Sequence, residues 1–383
     1  MSVYVLISGD FTTWGGMDRA NYELAWFLAE GLSHPVHLVS HFVAPPLAQH
    51  PLITWHRVAK PLNSDVLAEP RLNYHGQRVA ASLRNDNPRV IVNGGNCAWG
   101  DVNWVHYVHA AYTPTIGQGT VRRWRAAWSH RRFLAAEKKA LAAARIVIAN
   151  SDRTRSDLTG GLGLAEERVR TVYYGNNEGE FSPPSTGQQR DARVALGWDP
   201  DRLTAVFVGG LGDQRKGFDV AFGAWQELIC RADWDVDLVA LGVGSELEFW
   251  RSRVAAQGLG ERIRLLGFTP EMSRVMTAAD LLISPTRYEA YGLGVHEALC
   301  RGIPAFVTRT AGIAERYPRE LDELLLDAPP TVADLAGRLQ RWRAAREDYH
   351  DRVAKFSAQL RERSWADMAR EIVQQMESSH RAG

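Results

Sequence analysis

The sequence is poor in cysteine and lysine, and it contains no long apolar run. Only three of its 383 residues are cysteines, Cys97, Cys230 and Cys300, far apart and without a CxxC or zinc-ligand spacing. This excludes a disulfide-built scaffold and fits a reducing compartment. Lys60, Lys138, Lys139, Lys216 and Lys355 are the only lysines among 45 basic residues, so a lysine inside a motif stands out. The opening apolar run, Val3–Ile7, ends at Ser8-Gly9-Asp10, has no basic residue before it and is too short for a secretory signal. No window approaches the roughly 18 apolar residues of a membrane-spanning helix, and a cytoplasmic location is expected. Neither charge sign dominates: 45 basic residues face 44 acidic ones, net +1, which excludes a polyanion grip by the whole surface and argues against nucleic acid as a partner. Within that sum, residues 1–183 carry 19 Lys+Arg against 15 Asp+Glu, net +4, and the remainder is net −3.

What is present is an ordinary globular composition, 45% apolar and 23% charged, at a length that suits two domains. Short β-rich runs alternate with amphipathic stretches, the pattern of a parallel sheet covered by helices on both faces. Strands are expected at Val3–Ile7, Val36–Ser40, Val90–Asn93, Trp104–Val108, Ile146–Ala149 and Val169–Tyr173, with a helix over Asp18–Gly31. Between Asn176 and Arg190 the composition shifts to Asn, Gly, Ser, Pro and Gln, which reads as an interdomain linker. The alternation then restarts with Ala205–Val208, a helix over Phe218–Cys230, Leu238–Leu241, Arg264–Leu266, Leu281–Ser284 and Ala305–Val307. The expected fold is α/β: two Rossmann-like, doubly wound parallel-sheet domains facing a deep cleft. Residues 1–180 form the first domain and 181–363 the second, with a C-terminal helix, about 364–383, crossing back to the first.

The most informative stretch runs from Ser284 to Pro304. Glu289 and Glu297 lie eight apart around Tyr291-Gly292-Leu293, with a helix expected from about Gly294 and Glu297 in its first turn. An ionised glutamate only accepts hydrogen bonds, so Glu297 suits a vicinal diol such as a ribose. The backbone N–H groups at the helix start suit a phosphate. The second element is the loop Val208-Gly209-Gly210-Leu211-Gly212-Asp213-Gln214-Arg215-Lys216-Gly217, where two adjacent cations beside loop amides make a diphosphate clamp.

These motifs, with Leu241-Gly242-Val243-Gly244, Leu265-Leu266-Gly267-Phe268 and Ala279-Asp280-Leu281 ahead of Ser284-Pro285, resemble the retaining nucleotide-sugar glycosyltransferases of family four, which have the GT-B fold. Gly15-Gly16, His109, Asn150-Ser151 and Tyr174-Gly175-Asn176 follow in the family's order, and the resemblance covers nearly the whole chain. It implies that Glu297 holds the donor ribose and Glu289 the transferred sugar. The amides of Tyr291, Gly292 and Leu293 meet the phosphates, with Gly209 in the donor loop. Arg215 and Lys216 neutralise the leaving diphosphate. Gly15 and Gly16 let the first-domain loop approach the donor, and His109 sits beside its sugar. Gly210 stands where many members carry arginine, and the Arg-Lys-Gly loop is closest to the lipopolysaccharide-core glucosyltransferase branch. The implied function is a retaining, metal-independent hexosyl transfer from a nucleoside-diphosphate sugar to a hydroxyl of a glycan, glycolipid or small natural product. No cofactor is expected. A nucleotide-sugar epimerase or phosphorylase on the same fold, or a non-catalytic sugar-nucleotide binding subunit, are the alternatives.

Other patterns read as structural. Asp233-Trp-Asp235-Val-Asp237 is taken as a solvated strand entrance rather than a metal motif, and His296-Glu297-Ala-Leu-Cys300 lacks the second histidine of a zinc-protease helix. Gly117–Arg145 holds eight Lys/Arg and one acid, Glu137. In it Trp124, Trp128 and Arg131 share one helical face, so Arg122–Arg132 reads either as a solvated helix face or as an anionic-membrane contact at the inner face of a membrane. The acceptor is expected at loops Asp10–Trp14, Asn63–Tyr74 and Gly94–Trp99.

Overall fold

The computed structural model describes residues 2–115, 120–177, 179, 181–212 and 214–381. The residues 117–119 at the start of the basic segment, the Arg122 side chain and Asp213 lie outside this description. The chain divides into two compact units, Met1–Thr113, Trp124–Asn176 and Arg363–Gly383 in one, Pro114–Arg123 and Asn177–Glu362 in the other.

The first unit is built on seven parallel strands, in the spatial order Ile53–Arg57, Val36–Ser40, Tyr4–Ile7, Arg89–Asn93, Val102–Val105, Ile146–Ala149, Val169–Thr171. Runs such as Tyr4–Ile7 and Ile146–Ala149 are buried at every position, as sheets covered on both faces require. One face packs Val5, Ile7, Val39, Val90 and Val92 on Leu72 and Ala80. Another cluster joins Val105, Val147, Ala149 and Val169 to Leu141 and Leu158. Each such valine, leucine or isoleucine side chain contributes about 1.5–3 kcal/mol by leaving water. The second unit repeats the scheme with six parallel strands, ordered Ile263–Gly267, Val236–Leu241, Leu203–Val208, Leu281–Ser284, Ala305–Thr308, Leu325–Leu326. In both sheets the strand order reverses beside the first strand, and open α/β sheets bind ligands at that switch point.

Several local expectations are corrected. The expected linker holds a helix, Thr186–Ala195, started by a capping box in which Ser185 Oγ accepts from Gln188 N and Gln188 Oε1 accepts from Ser185 N. Arg193 then fixes this helix to the sheet through Asp280, 2.6 Å away and also bonded to Thr204 N. The stretch Asn63–Tyr74 is mostly the first half of a helix, Asp65–Ser82, rather than a loop. The strand expected to end at Val108 is Val102–Val105, because the His106 ring turns into a buried network with Asn93 and Tyr174. Burial alone pushes the His106 pKa down to about 3, so the ring is neutral. The Asp-x-Asp segment is solvated at its start only: Asp233 is exposed, half-exposed Asp235 accepts two 2.6 Å bonds from Arg343, and Asp237 is buried, accepting from Arg202 and Arg262 at 2.8 Å each.

The C-terminal helix, Trp365–Arg381, belongs to the first unit. Ser364 and Asp367 cap its start reciprocally, and these bonds together with Arg370 hold the Asp367 carboxyl at about 2. Its buried stripe is Trp365, Met368, Ala369, Ile372 and Met376, spaced for one helical face. Asn176 N donates to Arg363 O at 3.0 Å, and Trp365 N donates to Asn176 O at 3.2 Å. The approach is so close that a Cβ on Gly175 would lie 2.1 Å from Ser364 O. Gly175→Ala is therefore expected to destabilise the first unit by about 2 kcal/mol or more, while Gly160→Ala, with open space around it, changes little. Equal thermal melting of the two variants would refute this account of the chain crossing.

Candidate active site

Two loops in the second unit follow adjacent strands at its switch point. The glycine-rich loop leaves Leu203–Val208, and the Thr286–Gly292 loop leaves Leu281–Ser284, its hydrogen-bonded neighbour. Gly217 ends the first loop at φ +73, where a Cβ would meet Pro285 O at 1.8 Å, so only glycine lets the two loops touch. They are then laced together. Arg287 N and Thr286 Oγ1 donate to Arg215 O at 2.8 and 3.0 Å, and Arg287 Nη1 donates to Gln214 O at 2.6 Å. The Arg287 guanidinium makes a two-pronged pair with Asp219, at 2.8 and 2.7 Å, on the helix Phe218–Ile229.

This lacing brings Lys216 Nζ onto Glu289 Oε2 as a direct ion pair. Arg215 lies in the same short turn, Gln214–Lys216, with Nη1 3.4 Å from Tyr288 O. Gly209 makes room for the lysine stem, since a Cβ there would fall 2.9 Å from Lys216 Cγ. Burial alone would raise the Glu289 carboxyl; the Lys216 ammonium, the Arg215 guanidinium and the Lys216 hydrogen bond outweigh it and hold the pKa below the ordinary value.

Beyond Glu289 the chain turns at Gly292, φ +109, into the helix Leu293–Cys300. At such a start the N–H groups of Leu293 and Gly294 have no intrahelical partner, and the helix dipole favours an anion. Tyr291 O accepts from Ile313 N at 2.7 Å, and the buried Tyr291 hydroxyl bonds His296 Nδ1 at 2.7 Å. The helix begins one residue earlier than expected, so Glu297 stands in its second turn rather than its first, partly buried. Arg215, Lys216, Glu289, Tyr291, Gly292, Leu293 and Gly209 thus gather on two touching loops.

In the first unit, Gly15 (φ +88) and Gly16 lie exposed ahead of the helix Met17–Trp26. Burial, then the Asp10 carboxylate, push Asp18 in its first turn up to about 7. His109 opens a short turn, His109–Ala111, past the strand Val102–Val105. Its backbone N–H donates to Glu137 Oε1 at 2.8 Å, and its Nδ1 is 3.2 Å from the same oxygen.

Residues 14–178 match the family model described as Glycosyltransferase Family 4, and residues 202–343 the one described as Glycosyl transferases group 1, so that together they take in most of the chain. The chain belongs to glycosyltransferase family four. Over 175 residues it is 31% identical to the lipopolysaccharide core biosynthesis mannosyltransferase LpsB of Rhizobium meliloti (strain 1021), covering 44% of this chain and 46% of that one. Such curated relatives are matched over 44% to 68% of their own length. Among solved structures, it is similar to sucrose-phosphate synthase from Thermosynechococcus elongatus, with a TM-score of 0.77 at 19% identity over 100% of both chains. It is also similar to Anabaena HepE in complex with UDP-glucose, with a TM-score of 0.72 at 16% identity over 99% of this chain and 100% of that one. At those identities the likeness shows the fold, GT-B.

In this family-four chain, sequence reasoning passed over Thr286, Arg287 and Asp219, which hold the two loops together. Their only sequence signal was position, since two lie inside the Ser284–Pro304 stretch already singled out. Glu137 was read as a lone acid on a basic helix.

The Lys216–Glu289 pair has a pH signature. With its pKa depressed in the folded state, Glu289 contributes stability in full above about pH 4.3, and the contribution is lost as pH falls through the depressed value. In Lys216→Ala the buried carboxyl loses its nearest counter-charge and its pKa rises. The variant's deficit in melting temperature is then expected to be largest near pH 7 and to shrink toward about pH 5. A deficit constant across that range would sink the pairing.

Proposed function

We propose that this protein transfers a hexosyl group from a nucleoside-diphosphate sugar to an acceptor hydroxyl, with retention and without a resident metal. The observation that carries the reading is the Arg215–Lys216–Glu289 cluster, held beside a helix start in a chain of this family. Charge grows on the diphosphate as the anomeric C–O bond breaks, and fixed cations and amides aimed at it supply the dominant stabilisation. Arg215, Lys216 and the N–H groups at Leu293 and Gly294 fill that role. Glu289, kept ionised by its neighbours, holds hydroxyls of the sugar, and Glu297 those of the ribose. The resemblance to the family further assigns donor-side roles to Gly15, Gly16 and His109 in the first unit. The acceptor oxygen forms the new bond on the face the diphosphate leaves, and its proton passes to the departing phosphate oxygen. The activities of the relatives, a lipopolysaccharide-core mannosyltransferase beside D-inositol 3-phosphate and 2-deoxystreptamine glycosyltransferases, and the UDP-glucose complex of a structural neighbour support a donor of this class and a glycan, glycolipid or small-molecule acceptor.

Screening UDP-, GDP-, ADP- and dTDP-sugars should identify a turned-over donor, and Lys216→Ala and Glu289→Ala should each lower its turnover about 10²-fold or more. Near wild-type rates in both variants, phosphate-dependent turnover, or epimerisation of donor without acceptor would overturn the reading.

The same reading places the protein in the cytoplasm, at the inner face of a membrane. No helix among the described residues is long and apolar enough to cross one. The helix Thr120–Ala143, however, presents Trp124 at 76% and Trp128 at 48% exposure among exposed Arg123, Arg125 and Arg131, with Arg132 stacked on Trp128. Cations with aromatics and no acid on that stretch fit an anionic lipid surface. Co-sedimentation with vesicles containing anionic lipid at low salt is expected, lost in Trp124→Ala/Trp128→Ala and absent with neutral vesicles. Failure to sediment with anionic vesicles would remove the membrane from this proposal.

A further inference from the structure

Glu137 poses a physical problem. It is the one acid between Gly117 and Arg145, followed directly by Lys138 and Lys139, and such a residue on a basic helix ordinarily faces water. Here it is turned inward and is 0% exposed. A carboxylate so placed costs several kcal/mol unless hydrogen bonds replace its water. An apolar side chain at position 137 would carry no such cost, so packing alone does not account for an acid there.

Its partners all lie in one turn. Oε1 accepts from His109 N at 2.8 Å and faces His109 Nδ1 at 3.2 Å, and Oε2 accepts from Ala110 N at 3.3 Å. Gly95 lets the helix backbone come close, since a Cβ there would lie 3.1 Å from Glu137 N. The imidazole is further flanked by the rings of Tyr107, centroids 4.9 Å apart, and Phe133, 5.4 Å apart, and is 32% exposed. His130, on the same helix as Glu137, interacts electrostatically with both His109 and Glu137.

We propose that Glu137 is the positioning residue for His109. Its carboxylate fixes the ring in the tautomer that carries the proton on Nδ1 and leaves Nε2 as the nitrogen that meets a ligand. A carboxylate can only accept, so the nitrogen facing it must carry a proton. The same negative charge balances an imidazolium, so the ring can carry positive charge without an unpaired cation against the core. The importance for turnover rests on the transferase reading above. The tautomer itself does not.

The test uses the full chain with Glu137→Gln, Glu137→Leu and His109→Ala. Turnover is expected to fall about 10²-fold in Glu137→Leu, with the donor KM within about threefold and partial recovery in Glu137→Gln, which keeps an acceptor oxygen but not the charge. On a His109→Ala background, neither Glu137 substitution should lower turnover further. Nitrogen-15 NMR of histidine-labelled protein, with His109 assigned by its loss in His109→Ala, should show the proton on Nδ1 in wild type and a shift toward Nε2 in Glu137→Leu. Additive losses in the double variants, or wild-type turnover in Glu137→Leu, would overturn the positioning role. A wild-type His109 protonated on Nε2 would overturn it even if transfer is confirmed. A chain that transfers no sugar but keeps the Nδ1 tautomer would instead refute the transferase reading and leave the Glu137 assignment standing.

Discussion

A carboxylate taken out of water must be given a counter-charge or a set of donors, and most of what is distinctive in this chain follows from meeting that demand. Glu289 is held against Lys216 with Arg215 nearby, so that one largely buried acid and two cations are fixed on two touching loops. The pair exists because Arg287, Thr286 and Asp219 tie one loop to the other, and the loops touch because Gly217 leaves space for a carbonyl. Each step depends on the one before it. The strand order places the two loops side by side, glycine lets them close, and the arginine lacing fixes where the lysine can reach.

The first unit meets the same demand in other ways. Asp280 and Asp237 in the second unit are satisfied by arginines and serve the fold, whereas Glu137 is satisfied by one turn of backbone and an imidazole. Asp18 is a third case: partly buried beside Asp10, it is pushed up to about 7 rather than paired. An acid in the first turn of a helix competes with any anion brought to that helix start, and a carboxyl neutral for part of the time at pH 7 competes less.

Much of this was legible before any coordinates. Short apolar, β-rich runs marked most of the strands, since a strand covered on both faces has to be apolar along its length. The errors came where local composition and tertiary context disagreed. Ser185-x-x-Gln188 is a helix-start signal, but it lies in a stretch rich in Pro, Gly and Gln that reads as linker, and the helix is secured by Asp280, 87 residues from Arg193. The helix Asp65–Ser82 contains Pro70, which masked it. The strand ending at Val105 was drawn too long because Tyr107 and Val108 are good strand formers, whereas the neighbouring His106 ring is turned aside by its buried partners.

Local pattern alone decided the two α/β units, the glycine-rich and Glu-x7-Glu motifs, and the presence of adjacent cations at Arg215 and Lys216. All of these are written in residues near one another along the chain, where backbone period and turn chemistry act. The tertiary structure decided the pairings: Lys216 with Glu289, 73 residues on, Arg287 with Asp219, 68 residues back, and Glu137 with His109, 28 residues back. Those depend on which strands become neighbours at a switch point and on how closely glycine lets loops approach. A basic helix with one acid looks the same in sequence whether that acid faces water or a histidine, and only packing turned it inward.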